Sequence, residues 1–425
     1  MSATSNNLNT KVWTWRDSGN HGPLLKIFNF ASDIVGYSRK RFVAEQLMEQ
    51  AADKSGLSDF GDPGFREGLD LICRCYNEDF YKTGLAQLAG RAMLTAALVN
   101  RLQVIDWYKK HPEVQNEIID RPWVITGLPR TGTTLGSYLF DLDARVRSPL
   151  VWEAEFPIPP AQIASRHSDE RIARSAKNLD QFRKLVPPLN AIHPFEANHP
   201  QECLMITQMD FQALGFHSIA FAEDYLKWYA VSDKHAAYRT HKQLLQIWQA
   251  AIPTLHWGLK TPMHMHGIVD FIDTYPDARM IWSHRDPLVA VPSVISLQLA
   301  FLKPFTRHID VPAAARSINQ FWLTGIQRMT AYEKAQPNRD WCCHSYYRDM
   351  ISDPVESMRS IYRHFGDEID ALHERKIKTW VDQRPKNVFG IHQYSLEDFG
   401  LDAKTMREQY AEYTESYNVP HEHKI

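Results

Sequence analysis

The segment 124–139, VITGLPRTGTTLGSYL, gathers the residue types that hold an oxyanion. Gly127 and Gly132 let a backbone turn sharply and come close to a ligand. Thr133 and Thr134 supply hydroxyl donors, and Arg130 supplies a charged fork suited to tetrahedral oxyanions. Successive backbone N–H groups at such a turn form an anion nest, and a following helix adds its positive end. A nucleotide-hydrolysing P-loop carries Lys and then Ser or Thr after its last glycine. Here two threonines follow Gly132 and the cation precedes it, so the loop reads as a phosphate or sulfate cradle of another kind. No apolar strand ends in an acid placed to hold Mg²⁺ by the usual route. Asp286 follows a strand, but Arg285 and Pro287 enclose it.

A second anion clamp lies in MIWSHRDPLVAVPSVISL. Arg285 leaves the end of a strand, and Ser293 stands about two helical turns further on. Taken alone the Arg-Asp-Pro turn is equally well read as an exposed Arg capped by its own Asp. The His-rich stretches HMH and IHPFEANHP match no zinc spacing in a chain with 19 His, and no metal is expected.

The elements that must position these groups follow from the pattern. RPWVIT is a short apolar run between Pro122 and Gly127, a strand signal, and TTLGSYLFDL reads as a helix. Strand, glycine loop and helix form the context an anion loop requires. A second such unit spans 256–302: LHWGL and ARMIWSH as strands, PMHMHGIVDFIDTY as a helix stopped by Pro276, and PLVAVPSVISLQLAFL as a helix begun by Pro287 whose start Pro292 blurs. Helices alternating with buried strands predict an α/β fold with a central parallel sheet flanked by helices.

Residues 1 to about 30 read as irregular and 38–112 as helical. There Thr83 caps a helix with Leu85, Leu88, Ala92, Thr95, Val99, Leu102 and Ile105 near one face, stopped by Pro112. The expected organisation is a helical N-terminal extension over 1–115 and an α/β domain over 120–425. Within that domain, 150–255 is a Pro-rich, acceptor-side cap and 345–425 a helical C-terminal part. In the last, SDPVESMRSIYRHFG carries Asp353 as cap, Glu356 completing a capping box, Gly366 as stop and a buried stripe of Val355, Met358, Tyr362 and Phe365.

Composition sets the outer bounds. The 425 residues are 44% hydrophobic and 23% charged with a net charge of −2, which gives no support for nucleic acid as a partner. Five Cys, an odd number without a C-x-x-C pair, point to a reducing, cytoplasmic setting. The first twenty residues have no apolar core, so no signal peptide is expected. The longest apolar stretch is read at 211–222, too short to span a bilayer.

GLPRTGTT, WGLKTPMH, YPDARMIWSHRDP with its following Ser, YYRDMISDP and HQYSLEDFGLDAKTMREQYAEYTESY together resemble the sulfotransferases that use 3′-phosphoadenosine 5′-phosphosulfate (PAPS). The likeness covers roughly residues 40–420 and is nearer to the broad bacterial branch, which shares Pro-Arg-x-Gly-Thr-Thr with tyrosylprotein sulfotransferases. It implies a P-loop-like sulfotransferase fold, with PAPS as co-substrate and no metal. It implies that Arg130, Thr131, Gly132, Thr133 and Thr134 hold the 5′-phosphosulfate and that Arg285 and Ser293 hold the 3′-phosphate. Lys260 matches a Lys on the bridging or leaving-group side, while Arg130 replaces the Lys of the cytosolic branch. The acceptor implied is a small-molecule hydroxyl.

An acceptor hydroxyl needs a base, and three residues qualify. Glu153 follows the loop at a distance similar to the basic Glu of several family branches. His264 sits four residues after Lys260 and can turn to the same edge. Glu202 lies in the expected cap. Trp152, Phe156, Phe195, Phe211, Phe216, Phe221, Tyr225, Trp228 and Tyr229 are available there for an apolar acceptor pocket or for packing. A P-loop kinase and a non-catalytic nucleotide binder are the alternatives to sulfuryl transfer.

Overall fold

The computed structural model describes residues 11–20, 22–384 and 389–422. Residues 1–10 and 21 of the expected N-terminal segment, and 385–388 and 423–425 of the C-terminal part, lie outside the described residues. Helices appear earlier than the sequence suggests: Trp15–Asp17 is a 3-10 turn and α1 covers Pro23–Ile34. α2 (Ala44–Ser55), α3 (Phe65–Glu78) and α4 (Gly84–Lys110) follow. The Thr83 hydroxyl accepts from the Ala86 N–H at 3.1 Å and caps α4. The buried face of α4 is not quite the expected one. Leu94, Leu98, Arg101, Leu102 and Ile105 are buried, whereas Leu88 and Ala92 face solvent. The stripe is turned because α4 packs against α2 on one side and takes Arg101 inward on the other.

The strands, in chain order, are β1 (Val12–Trp13), β2 (Trp123–Gly127), β3 (Val146–Arg147), β4 (His256–Lys260), β5 (Arg279–His284), β6 (Cys342–Tyr346) and β7 (Ile391–His392). β1 and β7 form a small parallel pair. The other five form a parallel sheet in the order β3-β4-β2-β5-β6. β2, β4 and β5 are buried at every residue, as parallel strands covered by helices on both faces must be.

α5 (Thr133–Asp141) leaves the glycine loop, and α6 (Val151–Glu155) follows β3. The long excursion before β4 contains α7 (Glu170–Leu185), α8 (Leu189–Ile192), α9 (Leu204–Thr207), α10 (Glu223–Val231) and α11 (His235–Ala251). The helix expected after β4 is split: Pro262–Gly267 winds as 3-10 and only Ile268–Thr274 is α12. A Cβ at Gly267 would lie 2.5 Å from the Lys234 side chain, so this segment is pressed tightly against its neighbours.

α13 (Pro287–Leu302) starts at Pro287 and runs through Pro292; the Asp286 side chain caps it by accepting from the Leu288 N–H at 3.0 Å. By length and composition α13 with the following turn, Pro287–Phe305, is long and apolar enough to cross a membrane, so the longest apolar stretch is here and not at 211–222. Most of it is buried inside the protein. α14 (Val311–Ala335), α15 (Tyr347–Ser352), α16 (Pro354–His364), α17 (Ala371–Asp382), α18 (Ala403–Gln409) and α19 (Ala411–Ser416) complete the chain. Asp353 caps α16, while Glu356 pairs with Arg359.

Candidate active site

The carboxyl ends of the central strands stand side by side. Ile125 pairs with Lys260, Gly127 with Ser283, and His284 with Tyr346. The chain leaving these ends lines one cavity of about 420 Å³: Arg130, Gly132, Thr133 and Thr134 after β2, Pro262 and Met263 after β4, Arg285 after β5 and Tyr347 after β6. This is where open α/β sheets bind ligands.

Part of the lining is formed by the glycine loop and Arg285. Gly127 has φ +133°, and a Cβ there would lie 2.3 Å from the Ser283 carbonyl oxygen, so no other residue fits without moving β5. Arg130 and Gly132, at φ +70° and +90°, turn the loop so that α5 begins with its N-terminus at the cavity. Arg130 Nε donates to Ser293 Oγ at 3.2 Å, and the Arg130 carbonyl accepts from Arg285 Nη1 at 2.9 Å. The Arg285 guanidinium lies 3.8 Å from the Tyr347 ring centroid. Its Nε and Nη2 donate to the Glu422 carboxylate at 2.9–3.2 Å. A carboxylate in that fork demonstrates that Arg285 accepts an oxyanion at two points.

Glu202 lines the same cavity. Its Oε1 accepts from Lys260 Nζ at 2.7 Å and its Oε2 from Thr261 Oγ1 at 3.1 Å. Burial pushes the carboxyl up, but the Lys260 charge and the two hydrogen bonds outweigh it and hold Glu202 below the usual carboxylate range. His193 lines the same wall, and burial, reinforced by the Lys260 charge, pushes its imidazole down to about 3. The arrangement therefore sets an ionised carboxylate and a neutral imidazole in the same lining as the glycine loop and Arg285.

The sequence model of the sulfotransferase family matches residues 122–371, which contain the loop, Glu202, Lys260 and Arg285. The chain belongs to the sulfotransferase family. Among solved structures it is similar to the sulfotransferase STF9 from Mycobacterium avium, with a TM-score of 0.81 and 30% identity over 90% of this chain and 98% of that one. It is also similar to STF1 from Mycobacterium tuberculosis H37Rv, at 0.78 and 25% over 88% of this chain and all of that one. A curated relative, the omega-hydroxy-beta-dihydromenaquinone-9 sulfotransferase Stf3 of Mycobacterium bovis, is 25% identical over 281 residues. The match takes in 59% of this chain and spans 63% of that relative's length.

Within this sulfotransferase fold the expected site residues separate into three groups. Arg130, Gly132, Thr133, Thr134, Arg285 and Glu202 line the cavity. Thr131, Ser293 and Lys260 stand behind it. Thr131 is fully buried with its hydroxyl donated to the Leu128 carbonyl at 2.7 Å, Ser293 anchors Arg130, and Lys260 is spent on Glu202. Glu153 and His264 lie outside the cavity lining. Glu153 is buried at the start of α6, where it accepts from Arg147 at 2.9 Å, Arg166 at 3.2 Å and the Leu150 N–H at 3.2 Å; it fixes the turn after β3. His264 is buried, shares a hydrogen bond with Tyr238 Oη at 2.9 Å and is pushed well below its ordinary range by burial and His241, so the 3-10 winding turns it away from the Lys260 edge.

Another part of the lining is an apolar wall. Phe182, Phe195, Leu204, Leu214, Val294, Leu297, Phe301 and Trp322 form it. Of the aromatics singled out in 150–255, only Phe195 contributes; Phe211, Phe216 and Tyr225 are fully buried against one another. His193, Tyr347 and Glu422 were missed by sequence reasoning. Tyr347 stood in the quoted YYRDMISDP and His193 in the quoted IHPFEANHP, which was weighed only as a metal site; nothing local marked Glu422. Two clusters among the described residues bring metal-ligand types together, Glu333–Cys342–His344 and Asp233–His235–Asp270, and neither lines the cavity.

Proposed function

We propose that this protein transfers the sulfuryl group of PAPS to a hydroxyl of a small apolar acceptor. One observation carries the reading: a single cavity is lined by the glycine loop and Arg285, a carboxylate and an apolar wall. The phosphosulfate lies along the loop N–H groups, Arg130, Thr133 and Thr134. The 3′-phosphate pairs with Arg285 in the place of Glu422, while Ser293 keeps Arg130 aimed. The acceptor lies against the apolar wall with its hydroxyl toward Glu202.

Glu202 takes the hydroxyl proton as the acceptor oxygen bonds to sulfur, and the bond from sulfur to the phosphate oxygen breaks. Adenosine 3′,5′-bisphosphate leaves with the negative charge, which Arg130 and the loop N–H groups stabilise. Lys260 and Thr261 orient Glu202 and keep it ionised. This requires no metal. An apolar acceptor is supported by the cavity wall and by the omega-hydroxylated menaquinone in the name of the mycobacterial relative. Five free, buried cysteines support a reducing, cytoplasmic setting.

The test is transfer of labelled sulfate from PAPS to a panel of apolar alcohols. Wild type should transfer, and Glu202→Gln should lower kcat by about 10²–10⁴-fold with nucleotide binding kept. Full activity in Glu202→Gln, or transfer from Mg·ATP instead of PAPS, would contradict the assignment.

A further inference from the structure

Helix α1 is mounted with its polar side inward. Asn29 Oδ1 accepts from the Leu85 N–H at 2.9 Å, and Asp33 pairs with Arg307 at 2.6 Å. Ser32 is buried and lies so close to the start of α4 that Gly84 has no room for a Cβ. The opposite side looks outward. Leu24, Ile27, Phe30 and Ile34, spaced by three or four residues, and Val35 directly after the helix are each 63–82% exposed. A helix on the surface of a soluble protein does the reverse and buries its apolar stripe. Single apolar residues on a surface are ordinary, but a contiguous stripe marks an interaction site.

The charge around the stripe selects its partner. The chain as a whole carries −2, yet residues 11–41 hold six Lys or Arg against two Asp. Lys26 on α1, and Arg39, Lys40 and Arg41 shortly after it, are exposed. Lys26 and Phe30 also line a cavity of about 530 Å³ together with Lys303 and Arg307. Asp33, paired with Arg307, is the one acid in that lining among the described residues. Phe301, two residues before Lys303, lines the active-site cavity, so the end of α13 borders both. An outward apolar stripe edged by cations is the pattern of a helix that lies in the surface of an anionic bilayer. Two other occupants fit less well. Residues 1–10, MSATSNNLNT, have little apolar bulk with which to cover the stripe, and a second copy packed on it would bring like charges together.

We propose that α1 seats this protein peripherally on an anionic lipid surface. The apolar side chains enter the boundary between headgroups and acyl chains, and Lys26, Arg39, Lys40 and Arg41 meet the lipid phosphates. The docking stands apart from the sulfuryl-transfer reading; taken with it, the bilayer supplies the apolar acceptor.

The test is co-sedimentation of the full chain, without nucleotide, with vesicles of phosphatidylcholine alone and of equal parts phosphatidylcholine and phosphatidylglycerol. Wild type should bind the anionic vesicles about tenfold or more tightly than the neutral ones. Ile27→Ser with Phe30→Ser should weaken vesicle binding about tenfold or more, with an unchanged melting temperature because both side chains are exposed. Arg39→Gln with Lys40→Gln should lose most of the preference for anionic vesicles and keep the weaker binding to neutral ones. Three results would overturn the proposal: wild type that ignores both vesicles, undiminished binding in Ile27→Ser with Phe30→Ser, or a wild-type dimer in sedimentation velocity that this same variant dissociates, which would make the stripe a contact between copies. Vesicle binding needs no transfer, so it decides the surface whether or not sulfate moves.

Discussion

Glu202 owes its charge to its neighbours. Lys260 and Thr261 hold both carboxylate oxygens, and their effect exceeds that of burial. A carboxyl held below its ordinary value of 4.5 stays ionised above that pH and is lost as a base only as the pH falls through its lowered value. The rate should accordingly be flat between about pH 5 and 7, in initial-rate measurements with melting curves taken alongside. An acid limb inside that range would contradict a carboxylate held below its ordinary value as the base. Residue types marked the loop and, with the help of the family resemblance, Arg285 as candidates in the sequence, and the structure brings both to the lining of one cavity. The base was harder to read. Glu153 and Glu202 are both buried acids in the same part of the chain. What separates them is that Arg147 and Arg166 close over the first, while Lys260, arriving from β4, presents the second to a cavity. Sequence spacing does not carry that difference.

At the level of elements, the turn from β2 to α5 depends on backbone that only glycine adopts freely. Gly132→Ala places a Cβ 3.2 Å from the Tyr347 ring at φ +90° and should cost about 1–3 kcal/mol. Calorimetry should show adenosine 3′,5′-bisphosphate affinity down about tenfold; unchanged affinity would remove the loop from the binding site. α4 is tied to the 3-10 turn Gln208–Asp210 and to the 60–62 segment by Arg101. Its guanidinium donates to Asp210 at 2.6 Å and to the Phe60 and Asp62 carbonyls at 2.7 Å each, with both charged side chains out of solvent. Arg101→Met strands Asp210 and should destabilise the fold by about 3–5 kcal/mol, while Arg101→Met with Asp210→Leu recovers most of it. Denaturant melts of the two variants decide this; equal destabilisation would show that the pair matters through shape and not charge. The short, fully buried strands and the capped helices were readable from apolar runs, Pro and Gly. The rotated face of α4 was not, since a buried arginine satisfied from three directions looks polar in any periodicity.

Across the whole molecule, the C-terminal segment closes on the sheet edge. The Glu422 N–H donates to Asp286 at 2.8 Å while its carboxylate fills the Arg285 fork. Asp286 also faces Arg407 at 3.4 Å, so the N-cap of α13, α18 and the tail meet at one point beside Arg285. A nucleotide phosphate reaching Arg285 has to displace Glu422, and Glu422→Gln should tighten bisphosphate binding severalfold. None of this was visible from sequence, because the contact joins residues 137 positions apart.

The most direct measurement is a calorimetric titration of wild type and Arg285→Ala with adenosine 3′,5′-bisphosphate, adenosine 5′-phosphate and Mg·ATP. Wild type should prefer the bisphosphate, and Arg285→Ala should bind the bisphosphate and the 5′-phosphate alike. Tighter binding of Mg·ATP, or a preference for the 3′-phosphate that survives the loss of Arg285, would contradict it.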